Sequence, residues 1–461
     1  MEERAMQKEN VDVLIIGGGP AGGVCAVTAK MNNPEKVIMV IREHAQQLVP
    51  CSIPYVFGNT LKTVENGLGS CAQAEEMGIE ARLGKVKDID IDNKIAYYDD
   101  KAIVFDKLVF ATGSVPFVHA SLQHSCTLDG VFTIVKNVER IRELKAYTED
   151  KQNIIIVGSG FIGIEIAIEF AEAGKNVKVI GGSEYILNRA FDTEIAQEAQ
   201  ALMEQRGVEY VGSDRVVEII DKNNDNTVNA VKLKSGKIID AEVVILATGY
   251  QPNTDLADKV GLSLGHYGGI WVDDYMRTYH KDIFAVGDCT ARRGFLSKAP
   301  SKVMLASTSS AEARVAGTSL YGIKYLKGMS GTISIFSTKI GDTVFASAGV
   351  TADKAELKTN KMIVIGAFWG LNRHPAKIPN AHKQYVKLIV SKHGGQILGG
   401  QVIGGDEAGE MINLIGHIIE SGQSVYNIMS MQVATQPMLT SAPTSYPLIM
   451  AAIMAIKEIE G

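Results

Sequence analysis

The sequence predicts an α/β fold class: two Rossmann-like dinucleotide-binding domains followed by a C-terminal α+β domain. Three observations carry this expectation. An apolar run of strand length, residues 11–16, leads into Gly17-Gly18-Gly19-Pro20-Ala21-Gly22 and then into a helical stretch. The same succession recurs at residues 153–157, at Gly158-Ser159-Gly160-Phe161-Ile162-Gly163 and in the residues beyond. From about residue 331 the pattern changes to strands with no such loop. Short apolar runs opening into glycine loops suit buried parallel strands, and recurrence within one chain is a strong organisational signal. With 461 residues there is room for about three domains.

Composition narrows the class further. Glycine is abundant (46) and proline scarce (12), which fits tight βα turns rather than disorder. A net charge of −6 argues against nucleic acid or an acidic membrane as a standing partner. The cysteines, Cys25, Cys51, Cys71, Cys126 and Cys289, are odd in number and scattered. They form no CxxC metal or redox pair, and they fit a reducing, cytoplasmic setting. The polar first ten residues lack the apolar core of a signal peptide. The longest apolar run, residues 446–456, is too short to span a bilayer.

In the first unit Gly17 permits the tight turn, Gly19 lets a pyrophosphate approach the backbone, and Gly22 lets helix and strand pack closely. The helix is expected through Met31 and the second strand over residues 37–41. An acid for the adenine ribose belongs at the end of that strand, where Ile41 stands. The nearest carboxylate is Glu43, next to Arg42, and it stays a candidate beside the reading as a solvated loop charge. Residues 106–110 form a strand that ends in Ala111-Thr112-Gly113. Cys51, in Val49-Pro50-Cys51-Ser52-Ile53-Pro54-Tyr55, follows the second strand closely, placing a thiol near the dinucleotide. A thiol beside a flavin can exchange electrons with it, whereas many single cysteines are buried packing residues. Cys25, flanked by Val24 and Ala26, reads as packing.

In the second unit the strand 153–157 precedes a helix through about Glu172, and residues 177–180 form the next strand. Phe161 follows the second glycine of the loop and suits either a nicotinamide ring or the core. Glu165, four residues on, faces the same way along the helix. After Ile180 come Gly181-Gly182-Ser183, with neither an acid for a ribose diol nor an arginine for a 2′-phosphate. The choice between NADH and NADPH is therefore open at this point. Ala247-Thr248-Gly249 closes the unit.

Residues 280–286 read as a strand ending in Gly287-Asp288-Cys289. An acid at the mouth of a parallel sheet sits where ligands bind, or else caps a helix. A helix is expected over residues 304–316. Strands follow over 332–337, 343–350, 361–368, 384–391 and 396–403, and helices over 407–421 and 447–458. Leu448, Ile449, Ala452, Ile453 and Ile456 form an apolar face for the core or for a subunit seam. Arg373, His374 and Lys377 concentrate positive charge in one loop, available to an anionic substrate or to water. The expected division is 1–115 and 253–328 for the first dinucleotide domain, 116–252 for the second, and 329–461 for the last.

With these residues in place, the chain from about residue 11 onward resembles the flavoprotein disulfide reductase superfamily, whose members bind FAD and NAD(P)H. The resemblance implies that Gly17, Gly19, Gly22 and Asp288 hold FAD. Pro20, Ala21, Arg42, Glu43, Ala111, Thr112 and Gly113 join them as expected cofactor-binding residues. It implies that Gly158, Gly160 and Gly163 hold NADH or NADPH, with Phe161, Ile162, Glu165 and Gly249 around it. Dithiol members carry CxxxxC, but the second position here is Val56. Pro50-Cys51-Ser52-Ile53-Pro54-Tyr55 instead resembles the single-cysteine branch of coenzyme A disulfide reductases, NADH oxidases and persulfide reductases. Pro20 stands where peroxidase-type and water-forming oxidase members have histidine, and Gln436-Pro437 stands where dithiol members have His-Pro.

The implied reaction runs from NAD(P)H through FAD to Cys51 and on to a disulfide, persulfide or polysulfide, coenzyme A-linked substrates included. A glutamine cannot donate the proton, which leaves Tyr446, His374 or water. The superfamily acts as a homodimer, the C-terminal domain of one subunit covering the flavin and cysteine of the other. No metal is expected. Two alternatives stand beside this reading: an oxidase that reduces oxygen, and a reductase of a small electron-carrier protein.

Overall fold

The computed structural model describes residues 8–70, 72–325 and 331–461, so Cys71 and the first seven residues lie outside the described residues. The chain forms two compact units. One comprises residues 1–151, 248–293 and 300–330, and the other residues 152–247, 294–299 and 331–461. Residues 116–151 group with the first unit. The helix Val138–Thr148 explains why. Lys145 Nζ donates to the Val56 carbonyl (2.8 Å), and Arg142 donates to Glu65 (3.0 Å) and Gln46 (3.0 Å), so this helix is tied to the segment after the second strand.

In the first unit the strand Lys8–Ile16 is flanked by the parallel strands Ile38–Arg42 and Lys101–Phe110. Leu14 and Ile16 enter one core, and Val13 and Ile15 the other, so the sheet is buried on both faces. The ten-residue strand Lys101–Phe110 has two partners on its far side. Its first half pairs antiparallel with Ile95–Tyr98, and its second half pairs parallel with Ile283–Ala285. Ile16 is level with Ile41 and Phe110, and Phe110 with Ala285. Four strands therefore end together along one edge, where ligands of open α/β sheets bind.

The helices Pro20–Asn32 and Ala306–Ser319 cover one face. They cross closely because small residues meet there. A Cβ on Gly317 would lie 2.8 Å from the Cys25 carbonyl oxygen. The second helix begins and ends slightly later than the sequence suggests. Cys25 is fully buried, as expected of a packing residue.

In the second unit Asn153–Val157 is flanked by the parallel strands Asn176–Ile180 and Val243–Leu246, and Val208–Val211 pairs with Asn176–Ile180. Its C-terminal part is a five-stranded antiparallel sheet. The order is Phe336–Ile340, Thr343–Gly349, Ile397–Gly404, Lys383–Ser391 and Ile363–Leu371. The first strand starts at Phe336 rather than 332.

The helices Ala408–Glu420 and Pro447–Glu460 bury their apolar sides with this sheet. Leu448, Ala452 and Ile456 belong to the core, while Ile449 and Ile453 stay partly exposed. Within this unit Lys387 pairs with Asp192 (2.7 Å) and with Glu194, and Gln401 Nε2 donates to Asp192 (2.6 Å). These contacts explain why the second dinucleotide unit groups with the C-terminal sheet. Among the described residues no helix is long and apolar enough to cross a membrane, and no side-chain group suits a metal ion.

Candidate functional site

The first glycine loop is shaped by contacts that exclude side chains. Gly17 has φ of 113°, and its backbone N–H donates to the Ile41 carbonyl (2.8 Å). A Cβ on Gly17 would lie 2.2 Å from the Ala111 carbonyl oxygen, and one on Gly22 would lie 1.9 Å from that of Gly17. Nothing stands within 4 Å of the Cβ position of Gly19. The loop is thus clamped at both ends and open in the middle, at the start of the helix Pro20–Asn32, as a dinucleotide pyrophosphate requires. Pro20 is at the first helical position, and Ala21 packs under Gly287, whose Cβ position is 2.8 Å from the Ala21 Cβ. Thr112 Oγ1 donates to the Asn253 carbonyl (2.6 Å), and Gly113 has φ of 70°.

Asp288 follows directly, in the short turn Gly287–Cys289 after the strand Ile283–Ala285. Ser114 Oγ (2.9 Å) and Lys136 Nζ (2.9 Å) reach its Oδ2. Arg292 (3.2 Å) and Ser309 Oγ (3.2 Å) reach its Oδ1. Arg292 is itself held by Glu312 through two bonds of 3.0 Å, and Glu312 accepts from the Gly287 backbone N–H (3.2 Å). Burial acts to raise the Asp288 pKa, but Lys136 and Arg292 outweigh it and hold the carboxyl at about 2. The carboxylate is a fixed negative charge beside the glycine loop. Lys136, Arg292, Ser309 and Glu312 were not legible as site residues, because the fold assembles them from three separate stretches. The nearest signal was the serine-rich character of residues 306–319.

Cys51 lies on the 3₁₀ helix Pro50–Val56 and is exposed, without a disulfide. The segment is braced by residues 65–69. Val49 N donates to the Gly67 carbonyl (2.9 Å), and Ser52 Oγ donates to the carbonyls of Val49 (2.8 Å) and Gly67 (3.0 Å). Cys25 and Cys289 are buried, and burial pushes the Cys25 thiol up to about 12 and raises that of Cys289. Cys126 is exposed, although partial burial raises its thiol too.

The second loop repeats the geometry of the first. Gly158 has φ of 121°, and its N–H donates to the Ile180 carbonyl (2.9 Å). A Cβ on Gly163 would lie 2.2 Å from the Gly158 carbonyl oxygen, whereas the Cβ position of Gly160 is open. Phe161 and Ile162 begin the helix Phe161–Glu172. Phe161 stacks on Phe336 (5.2 Å between centroids) and meets Phe191 edge-on (6.1 Å). Glu165 Oε1 accepts from Thr338 Oγ1 (2.9 Å). Burial raises the Glu165 carboxyl to about 7, against the lowering effect of that bond. Gly249 (φ of 107°) belongs to the first unit, where its carbonyl accepts from Phe117 N (2.9 Å).

Residues 11–313 match the pyridine nucleotide-disulphide oxidoreductase family, and residues 335–446 match the dimerisation domain of that family. The chain is a pyridine nucleotide-disulphide oxidoreductase. As a member of this family it is an NAD(P)H-dependent, FAD-dependent flavoprotein oxidoreductase. It is 28% identical to an NADH oxidase of Methanocaldococcus jannaschii over 97% of this chain and 99% of the relative. It is 31% identical to an NAD(P)H coenzyme A polysulfide/persulfide reductase of Pyrococcus horikoshii, over 84% and 86% of the two chains. The solved NAD-dependent persulfide reductase from A. fulgidus superposes with a TM-score of 0.87 at 26% identity, covering 98% of this chain and 84% of that one.

The remaining expected residues of this oxidoreductase are placed as follows. Arg42 ends the strand Ile38–Arg42, against the Cβ position of Gly18. Glu43 is exposed and pairs with Lys85 (3.6 Å). Ile41 is buried, so no carboxylate stands at the strand end itself. His374 and Tyr446 belong to the second unit. His374 Nδ1 lies 2.9 Å from the Thr440 carbonyl, so Nδ1 carries the proton and neutral His374 has an accepting Nε2. Tyr446 precedes the helix Pro447–Glu460, and burial raises its phenol pKa. Arg373 donates to the Pro379 carbonyl (3.4 Å), and Lys377 is exposed.

Proposed function

We propose that this oxidoreductase uses NAD(P)H to reduce a sulfur–sulfur bond in a small substrate, with Cys51 as its single redox-active thiol. The substrate class is a disulfide, persulfide or polysulfide, coenzyme A-linked ones included. The observation that supports this best is the contrast among the cysteines. Cys51 is exposed on a braced turn after the first dinucleotide loop, while Cys25 and Cys289 are buried and burial raises their thiols. Cys126 is exposed as well, but partial burial raises its thiol and it lies outside the segment that follows the dinucleotide loop.

In this reading Gly17, Gly19 and Gly22, with Pro20 and Ala21, cradle the pyrophosphate of FAD. Arg42, Glu43, Ala111, Thr112 and Gly113 border it, and the fixed charge of Asp288 anchors its hydroxyl-bearing chain. Gly158, Gly160 and Gly163 cradle NADH or NADPH, with Phe161, Ile162 and Glu165 around it. When bound, the nicotinamide and flavin together supply two electrons and a proton. Cys51 does the sulfur chemistry. Its thiolate attacks the substrate, a new S–S bond to Cys51 forms, the substrate's own S–S bond breaks, and one half leaves as a thiolate or hydrosulfide. Two-electron reduction of that mixed disulfide restores the Cys51 thiolate and frees the second half. Tyr446 and His374 are the proton donors of this reading. Burial keeps the phenol protonated, and His374 once protonated can donate through Nε2. The working unit is a homodimer.

The test is anaerobic. The protein is reduced with NADH or NADPH and mixed with coenzyme A disulfide, coenzyme A persulfide, polysulfide or oxygen, as wild type and as Cys51→Ser. Fast flavin reoxidation by one sulfur compound, lost in Cys51→Ser, is the expected result. Full sulfur activity in the variant would sink the role of Cys51. Reoxidation by oxygen alone would favour the second reading, an NADH oxidase, which the similarity to the Methanocaldococcus jannaschii protein supports.

A further inference from the structure

Resting on the reading that the second glycine loop holds the nicotinamide dinucleotide, we infer that Arg215 recognises the 2′-phosphate of NADPH and makes NADPH the preferred reductant. The argument begins at the end of the strand Asn176–Ile180. In dinucleotide folds that position carries an acid for the ribose diol of NADH, or lies near an arginine that takes the 2′-phosphate of NADPH.

Here an acid is sterically barred from the first position. A Cβ on Gly181 would lie 2.5 Å from the Tyr210 hydroxyl and 2.6 Å from Ser159 Oγ. Tyr210 is fixed in turn, its hydroxyl donating to the Ser183 carbonyl (2.7 Å). The next residue, Gly182, is exposed and lies directly beneath the Arg215 side chain. Its Cβ position is 2.7 Å from Arg215 Nε and 3.3 Å from Arg215 Cγ. Any side chain at 182 would displace that arginine.

Arg215 reaches this place from the segment between the strands Val208–Val211 and Val216–Ile220. Its own backbone is held. Its N–H donates to Asp214 Oδ1 (2.8 Å), and its carbonyl accepts from Lys234 N (2.8 Å). Its guanidinium is in no ion pair among the described residues, so all its N–H donors remain for a ligand. Val157, Ile180 and Val211 are level across the sheet. The open cradle at Gly160 and the guanidinium over Gly182 therefore share one edge. A guanidinium meets a phosphate through paired, charge-assisted N–H donors, a geometry that a ribose hydroxyl cannot use as well. Gly181-Gly182-Ser183 carries no sign of this preference, because the arginine arrives from more than thirty residues later.

The experiment uses the full-length, FAD-loaded protein and two probes that differ by one phosphate, adenosine 2′,5′-bisphosphate and adenosine 5′-monophosphate. Calorimetric titration of the wild type is expected to give about tenfold or greater preference for the bisphosphate at low salt. Arg215→Ala is expected to bring the ratio to about one, with monophosphate affinity within about twofold of wild type, and Arg215→Lys to fall between them. Equal or weaker binding of the bisphosphate by the wild type would overturn the inference, as would an unchanged ratio in Arg215→Ala. Binding of neither probe would overturn the assignment of the second loop itself, and this inference with it.

Discussion

Asp288 keeps its charge in a largely buried place because Lys136 and Arg292 lie against it. Its carboxyl is held at about 2, below its ordinary 3.8. A depressed folded-state pKa stabilises the protein above pH 4, and that stabilisation is lost as pH falls toward 2. The difference corresponds to about 2 kcal/mol. Asp288→Asn should therefore flatten the acid limb of the stability profile, read as urea midpoints between pH 2 and 5, and should release FAD more readily. Glu165 runs the other way. Its folded-state pKa is raised from 4.5 to about 7, so the folded form binds the proton more tightly than the unfolded form. Stability from this group is full below pH 4.5 and declines as pH rises through 7. Because the side chain keeps partial contact with water, the expected loss is about 1–2 kcal/mol. Glu165→Gln should remove that decline, so its thermal midpoint should exceed that of wild type by more at pH 8 than at pH 5. An equal offset at both pH values would argue against a neutral Glu165. Of these residues, Asp288 and Glu165 could be picked from the sequence, because each sits at a fixed offset from a strand end or glycine loop. Lys136, Arg292 and Glu312 could not, since a charged residue shows its partner only after the chain has folded.

At the scale of elements, the parallel strands and their helices were legible because apolar runs and glycine loops mark them directly. The strand Asn153–Val157 and the end of its helix at Glu172 agree with the sequence reading to the residue. Legibility declines where tertiary contacts set the boundaries. The strand expected over 332–337 lies at Phe336–Ile340, where Phe336 stacks on Phe161 and Thr338 bonds Glu165. The helix Pro447–Glu460 gives a sharp test of packing. It crosses the strand Ile363–Leu371 at Gly366, whose Cβ would fall 2.1 Å from the Ala451 carbonyl oxygen and 2.6 Å from the Ala455 Cβ. Gly366→Ala should force helix and strand apart at a cost of about 2 kcal/mol. Gly409, in the helix Ala408–Glu420, has nothing within 4 Å of its Cβ position. Gly409→Ala should be neutral or stabilise by up to about 1 kcal/mol. Chemical denaturation of both variants checks the pair, and a Gly366→Ala protein as stable as Gly409→Ala would mean that the close crossing is absent.

At the scale of the whole molecule, the homodimer places specific demands on the C-terminal domain. Residues 335–446 match the dimerisation domain of the family. Just before its last helix, the turn around Gln436 exposes apolar side chains that a solitary chain has no reason to display: Leu439 is 70% exposed and Met438 is 43% exposed. Neither is forced outward by disorder of the backbone. Leu439 N donates to the Gln436 carbonyl (2.9 Å), Met438 N to Gln436 Oε1 (2.6 Å), and the Thr440 carbonyl meets His374 Nδ1. An ordered turn that presents apolar groups suits a protein interface, and it lies close in sequence to Tyr446. The sequence singled out Gln436 as a lost proton donor but gave no hint of this apolar display, because single exposed hydrophobics are ordinary until the fold gathers them. If this turn seats on a second subunit, introducing charge should weaken the dimer without unfolding the chain, since both side chains are already exposed in one copy. The double substitution Met438→Glu, Leu439→Glu should shift sedimentation from dimer toward monomer and lower NAD(P)H turnover, while FAD content and thermal midpoint at high protein concentration change little. A variant that remains dimeric with full turnover would place the seam elsewhere on the domain. One that becomes monomeric yet keeps full turnover would mean that a single subunit holds the complete catalytic site.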